Sequence, residues 1–473
     1  MNQKENKFLK VRFWLFLALI VLAPLSKYPS LSLPLFDFSS FRIGLYQILA
    51  TLFILSCFYG YNNNFIKNAK TVAIGLSLIL SSIIVGLFFA IDEARSLLLA
   101  TSVTMLVLLV FSSWFFVVNF MNPGSLKIII RYSLYASIFF SLLAIVQFIF
   151  NSFSHEDLGI LCTNCANTVF GFPRINLFAA EPQFLANSLI PFFFISLFTY
   201  IKNNKKTLPL ISLALVTITI GLTFSRGAFL AIAIGLIFFV FSNLSFVKQH
   251  LKITIVSFWV IILGFIVSLS MLLTSASLNY KNTPNIAYET TSTIIEQLTL
   301  GVLKLPEKVA IIPSTPAEEN QIDFVSPGLI EASTNERLSA AQLALKAWQN
   351  SPKNIIFGTG IGNLGPFVDK YIEPTAPDNL TVYIFYILVL SEIGLVGIIG
   401  LLIILVYPLI VLLRKSYQYK TPGLQVVIAI MASFIAQYAF FGSYINVVYI
   451  WLYIGIATAL SGMSQKQLSK LLQ

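Results

Sequence analysis

Five ionisable residues stand beside apolar runs, where a charge is expensive unless it lines a wet cavity or holds a substrate: Arg174, Glu181, Arg226, Arg337 and Asp378. Arg226 lies in TFSRGAF, at the join of two apolar runs. Its forked guanidinium suits the oxygens of a phosphate or diphosphate; the alternative is a cation that snorkels to the membrane interface. Arg174 opens RINLFAAEPQFLAN and adds a second cation. Glu181, in the same stretch, could accept a proton from a sugar hydroxyl or orient Arg226, although its place before Pro182 also fits a helix start. Arg337 lies in NERLSAAQLALKAWQNSP, on the polar side of an amphipathic helix, where a solvated side chain is the alternative. Asp378, with Asn379 in EPTAPDNLTVY, is either a general base or the N-cap of the next helix.

Two further patterns suggest chemistry and carry less. Gly360, Gly362 and Gly365 in FGTGIGNLG satisfy GxGxxG. A dinucleotide site also needs a preceding strand and a βαβ unit, which the sequence lacks, so a tight turn is the better reading. Of three cysteines, Cys57 lies inside an apolar run and Cys162 and Cys165 form CTNC. With only His155 and His250 as histidines, a four-ligand zinc site has little support. A local disulfide remains open, contingent on an oxidising compartment. No metal and no cofactor is expected.

The elements that must position these residues are membrane helices. The chain has 473 residues, 57% hydrophobic and 10% charged, far below the roughly 25% charged residues of a soluble domain. About twelve segments are long and apolar enough to cross a bilayer: 11–26, 43–60, 71–91, 97–120, 128–150, 183–201, 208–224, 227–243, 252–274, 393–413, 422–442 and 445–462. The net charge of +11 forms no basic face for nucleic acid. It falls instead in short loops, around Lys67, Lys127, Lys202, Lys248, Arg414 and Lys466, which places those loops and both termini in the cytoplasm. The basic segment before the first run, with no small-residue cleavage site after it, predicts a retained helix rather than a signal peptide.

The expected fold class is therefore all-α: a polytopic membrane protein with helices in 1–273 and 381–473 and one large extracytoplasmic loop, 274–380. A loop of about a hundred residues is long enough to demand a role. Within it, Ser333 and Glu336 predict a capped helix carrying Leu338, Ala341, Leu345 and Trp348 on one face, stopped at Ser351 and Pro352. On this topology all five ionisable residues map to the outer side, whereas scattered snorkelling residues would fall on both.

At RINLFAAEPQFLANSL, TFSRGAFLAIAIGL, NERLSAAQLALKAWQNSPKNIIFGTGIGNLGPF and PDNLTVYIFYILVLSEIGLVGIIGLL the chain resembles the O-antigen ligase and O-antigen polymerase superfamily, over roughly residues 170–415. The resemblance implies a C-type glycosyltransferase in the bacterial cytoplasmic membrane. Its donor would be a polyprenyl-diphosphate-linked oligosaccharide and its acceptor a saccharide or another lipid-linked chain. It further implies that Arg226 and Arg337 hold the donor diphosphate, with Arg174 beside them, and that Asp378 or Glu181 assists the attacking hydroxyl. The Glu181-Pro182 pair resembles a segment commoner in polymerases. Where ligases carry a histidine this chain has Asp378, a weaker base with a reference pKa of about 3.9, and polymerase is the favoured expectation. A transporter or flippase of lipid-linked sugars is the main alternative, and a noncatalytic scaffold for envelope assembly a third.

Overall fold

The structure, a computed structural model, describes residues 3–32, 42–58, 70–154, 168–169, 172–203, 207–279, 288, 291–292, 295, 329–374, 380–444 and 447–472. The regular secondary structure of the described residues is helical apart from two short antiparallel ribbons. One pairs β1 (Ser30–Ser32) with β2 (Arg42–Gly44), and the other pairs β3 (Thr168–Val169) with β4 (Phe172–Pro173). The helices are α1 (Gln3–Val21), α2 (Leu45–Phe58), α3 (Lys70–Leu87), α4 (Glu93–Phe120), α5 (Pro123–Ser154), α6 (Pro182–Lys202), α7 (Thr207–Thr223), α8 (Arg226–Ser242), α9 (Leu244–Gln249) and α10 (Leu251–Asn279). They continue with α11 (Leu329–Gln349), α12 (Pro352–Phe357), α13 (Leu364–Tyr371), α14 (Phe385–Tyr419), α15 (Leu424–Gln437), α16 (Val448–Gly462) and α17 (Gln465–Leu472).

Each of the twelve apolar segments falls on a helix. Six, namely α3, α4, α5, α6, α10 and α14, are long and apolar enough to cross a membrane. Five others, α2, α7, α8, α15 and α16, are apolar but shorter. The surface they present fits a lipid environment: Phe139, Leu142, Val146 and Phe153 on α5 and Trp259, Leu263 and Ile266 on α10 are all exposed. Helix α6 is the axis, with 94% of its apolar window buried against 28% for α10.

Local chemistry sets the helix ends. Asp92 caps α4 by accepting a hydrogen bond from the Arg95 backbone N–H at 3.0 Å. Pro182 opens α6 and Pro352 opens α12, where a missing N–H costs nothing, and the Ser351 hydroxyl accepts from the Asn354 N–H at 3.2 Å.

Three details differ from the sequence expectation. First, α11 starts at Leu329, ahead of the expected cap at Ser333. Its buried stripe is alanine, with Ala340, Ala341, Ala344 and Ala347 inside and Leu338 54% exposed. Small side chains let the helix lie close on its neighbours, so packing distance overrode hydrophobicity in choosing the face. Second, the tenth apolar segment does not begin at 393: α14 starts at Phe385 and is broken at Gly394, where φ is 64°. Third, α15 stops at Gln437, short of the expected 442, and the chain turns before α16.

The break in α14 has an identifiable partner in the glycine-rich segment. The Ser391 and Glu392 carbonyls accept hydrogen bonds from the Thr359 and Gly360 N–H groups at 2.9 and 3.0 Å, so the loop takes over bonds that the helix forgoes. Gly358 and Gly394 both have positive φ, and a Cβ on either would lie 2.3 Å from the opposing backbone. Asn363 secures the other side of the turn. Its Oδ1 accepts from the Ile91 and Asp92 N–H groups at 2.8 and 2.7 Å, and its Nδ2 donates to Ser96. The segment is a plug between α3, α4 and α14, flanked by α12 and α13 rather than by a strand.

Candidate functional site

The segment before α6 is held from several directions. Leu177, with φ 46°, donates its N–H to Gln147 Oε1 of α5 at 3.0 Å, and Gln147 Nε2 donates to Asn176 Oδ1 at 3.4 Å. The Phe178 carbonyl accepts from the Lys27 and Tyr28 N–H groups at 3.2 and 2.9 Å. This scaffold fixes the residues on either side of it, Arg174 and Glu181.

Arg174 reaches the turn between α7 and α8. Its Nε donates to the Thr223 carbonyl at 3.0 Å and its Nη2 to the Phe224 carbonyl at 3.3 Å. A guanidinium here satisfies carbonyls that a helix end leaves open and complements the negative end of the α7 dipole. Phe224 is held at φ 47°, a conformation a bulky residue adopts only when its surroundings enforce it. The Phe172 ring packs edge-on against the Phe224 ring, with centroids 5.5 Å apart.

The strained turn delivers Arg226. Ser225 caps α8, accepting from the Ala228 N–H at 3.4 Å, and Arg226 is the first helical residue, half-buried. Gly227 admits the end of α15 closely, since a Cβ there would meet Phe440 Cβ at 2.8 Å and Gln437 Nε2 at 3.3 Å. The SRG triplet thus reads as cap, cation and close-approach residue in order.

Arg337, also half-buried, stacks on the Tyr383 ring at 4.7 Å from the centroid. It lies within α11 rather than at its start, and an aromatic face, not bulk solvent, supports it. Glu181 occupies the N-cap position of α6 in extended backbone, yet its side chain makes no capping bond and accepts from Gln183 Nε2 at 3.2 Å.

Four of the five sequence-derived residues converge. Burial lowers the Arg174 pKa to about 10, Glu181 opposes that shift, and Arg226 and Arg337 add to it. Arg337 also acts on Arg226. Arg174 is therefore within electrostatic reach of one carboxylate and two other guanidiniums, with cations in excess around it. Asp378, Asn379, His155, Cys162 and Cys165 lie outside the described residues.

Sequence reasoning missed the amides. Asn187 on α6 and Gln437 on α15 are fully buried, and both side-chain amide atoms of each have no hydrogen-bond partner among the described residues. The Tyr438 hydroxyl is likewise buried and without a hydrogen-bond partner among the described residues. Buried polar groups of this kind are normally satisfied, so each marks a place for water or a polar ligand. The available signal was a Gln or Asn interrupting an apolar run. No family model matches the chain, and no curated protein is significantly similar to it.

Proposed function

We propose that this chain is a membrane glycosyltransferase that joins lipid-diphosphate-linked oligosaccharides on the outer face of a bacterial cytoplasmic membrane, as a polymerase rather than a ligase. The observation that carries the reading is the convergence of Arg174, Arg226 and Arg337. Like charges drawn together and partly desolvated are costly unless an anion joins them, and a diphosphate supplies two adjacent negative groups. In this reading the helix count is twelve, both termini are cytoplasmic, and the arginine end of the bundle faces outward.

Arg226 and Arg337 grip the donor diphosphate, while Arg174, tied to the α7 carbonyls, fixes the turn that presents Arg226. An acceptor hydroxyl attacks the anomeric carbon of the donor sugar and its proton passes to Glu181 or Asp378. The bond from that carbon to the diphosphate oxygen breaks, and the arginines stabilise the charge left on the departing lipid diphosphate. A single displacement inverts the anomeric centre. Asn187 and Gln437 would supply amide groups to the sugar hydroxyls beneath the arginines.

The test is to make Arg226→Ala, Arg337→Ala, Glu181→Gln and Asp378→Asn singly and to follow polymer length and lipid-linked donor in cells. Shortened polymer with accumulated donor is expected for the arginine variants. Unchanged polymer in all four ends the proposal.

A second reading, transport of a lipid-linked sugar, is favoured by the break at Gly394 beside the buried Glu392, since transporters bind at interrupted helices. Loss of flux across proteoliposomes in Glu392→Gln, with polymer linkage chemistry unaffected, would select it.

A further inference from the structure

At the end of the bundle opposite the arginines lies a cavity of about 660 Å³, within the roughly 300–1,000 Å³ of small-molecule sites. Helix α6 sets the separation: its 21 residues rise roughly 31 Å from Glu181 to Lys202. The walls are apolar, with Leu126, Ile130, Ile195, Phe198, Val427 and Ile456 among them. Three cations, Lys127, Arg131 and Lys202, line the cavity and are themselves exposed. Three uncharged polar residues also line it, the exposed Asn203 and the buried Thr199, at 8% exposure, and Tyr453, at 4%; neither buried hydroxyl has a hydrogen-bond partner among the described residues.

The surroundings fix the depth of this cavity in a bilayer. Helix α17 buries Leu468 and Leu471, the latter against the cavity, and exposes Lys466 and Lys470, the pattern of a helix lying in the headgroup layer. Trp14 of α1 and Tyr132 and Tyr135 of α5 are exposed, with Trp14 and Tyr132 ring centroids 6.2 Å apart and Nε of the cavity-lining Arg131 donating to the Tyr135 hydroxyl at 3.2 Å. Amphipathic aromatic rings of this kind gather at the membrane–water boundary. The mouth thus opens where phosphates of the bilayer lie.

We propose that this cavity binds one anionic glycerophospholipid, with an acyl chain against the apolar walls and the phosphate among Lys127, Arg131 and Lys202. The apolar walls exclude a free phosphate ion as occupant, and the cations discriminate against a zwitterionic lipid. The Thr199 and Tyr453 hydroxyls are donors suited to the ester carbonyls between chain and headgroup. Lys127 and Lys202 already lie within electrostatic reach of each other, so a single phosphate serves both.

The full chain, purified in a neutral maltoside detergent, is titrated with phosphatidylglycerol and with phosphatidylcholine of identical acyl chains, and bound lipid is counted by native mass spectrometry. One phosphatidylglycerol per chain is expected, retained roughly ten- to a hundredfold better than phosphatidylcholine. The triple variant Lys127→Gln, Arg131→Gln, Lys202→Gln is expected to lose that preference. Val427→Trp, which fills the cavity and keeps the cations, is expected to expel the lipid, so the idea stays testable if the triple variant fails to fold. Equal retention of the two lipids, an unaltered preference in the triple variant, full retention in Val427→Trp, or displacement by inorganic phosphate alone would each overturn it.

Discussion

The two ends of the bundle carry the same sign of charge and are built differently. At one end Arg174 bonds backbone carbonyls, Arg337 rests on Tyr383, and Arg226 projects from a strained turn. At the other, Lys127, Arg131 and Lys202 are exposed around an apolar cavity. Held guanidiniums present fixed forks that match phosphate geometry, whereas two of the three cations at the cavity, Lys127 and Lys202, are ammonium groups that act as point charges. The first arrangement suits a reacting diphosphate that must not shift; the second tolerates a headgroup whose position varies.

The contrast is broken most severely through the backbone. Gly394→Ala places a Cβ 2.3 Å from the Ile356 carbonyl oxygen at φ 64°, and should destabilise the protein by about 3 kcal/mol or more through clash plus strain. At the cavity end, Gly423 has φ 100° but its nearest neighbour is 3.5 Å away, so Gly423→Ala should cost only about 1–2 kcal/mol. Thermal unfolding of the two variants side by side decides it, and equal losses would mean that both ends are equally rigid.

Next in size is the exchange of one cation for another. Arg226→Lys keeps the charge and loses the fork, and should weaken diphosphate binding by about 1.5–3 kcal/mol, roughly 10- to 150-fold. Lys202→Arg should leave lipid retention nearly unchanged. Calorimetric titration with a short-chain polyprenyl diphosphate, and lipid counting for the second variant, measure the pair. Tolerance of lysine at 226 would erase the proposed distinction. The smallest effect is expected for Tyr383→Leu, which removes the aromatic face under Arg337 and should reduce the same binding by about 0.5–2 kcal/mol. A null result there would make Arg337 a solvated cation after all.

Hydropathy located every apolar helix because a run of about 20 apolar residues has few other uses. It misplaced the start of α14 because Ser391 and Glu392 interrupt the run; those residues instead give their carbonyls to the glycine-rich plug, a tertiary arrangement that no window of sequence encodes. Arg174, Glu181, Arg226 and Arg337 were legible as charges assigned to one side of the bundle. The bonds from Arg174 to Thr223 and Phe224, across about fifty residues of chain, were not. Gln147, Asn187 and Gln437 are uncharged and so leave no mark in a pattern of charges, although an amide in an apolar helix is also costly.

The burial of α6 has a consequence for biogenesis. This helix is apolar enough to enter a bilayer alone, yet in the finished protein almost none of it meets lipid. Among its partners, α15 and α16 are synthesised nearly last, and Phe441 and Tyr449 pack on its first turn only when they emerge. Until then the first turn of α6 lacks these contacts, so a nascent chain truncated before residue 424 is an incomplete bundle, a substrate for membrane quality control.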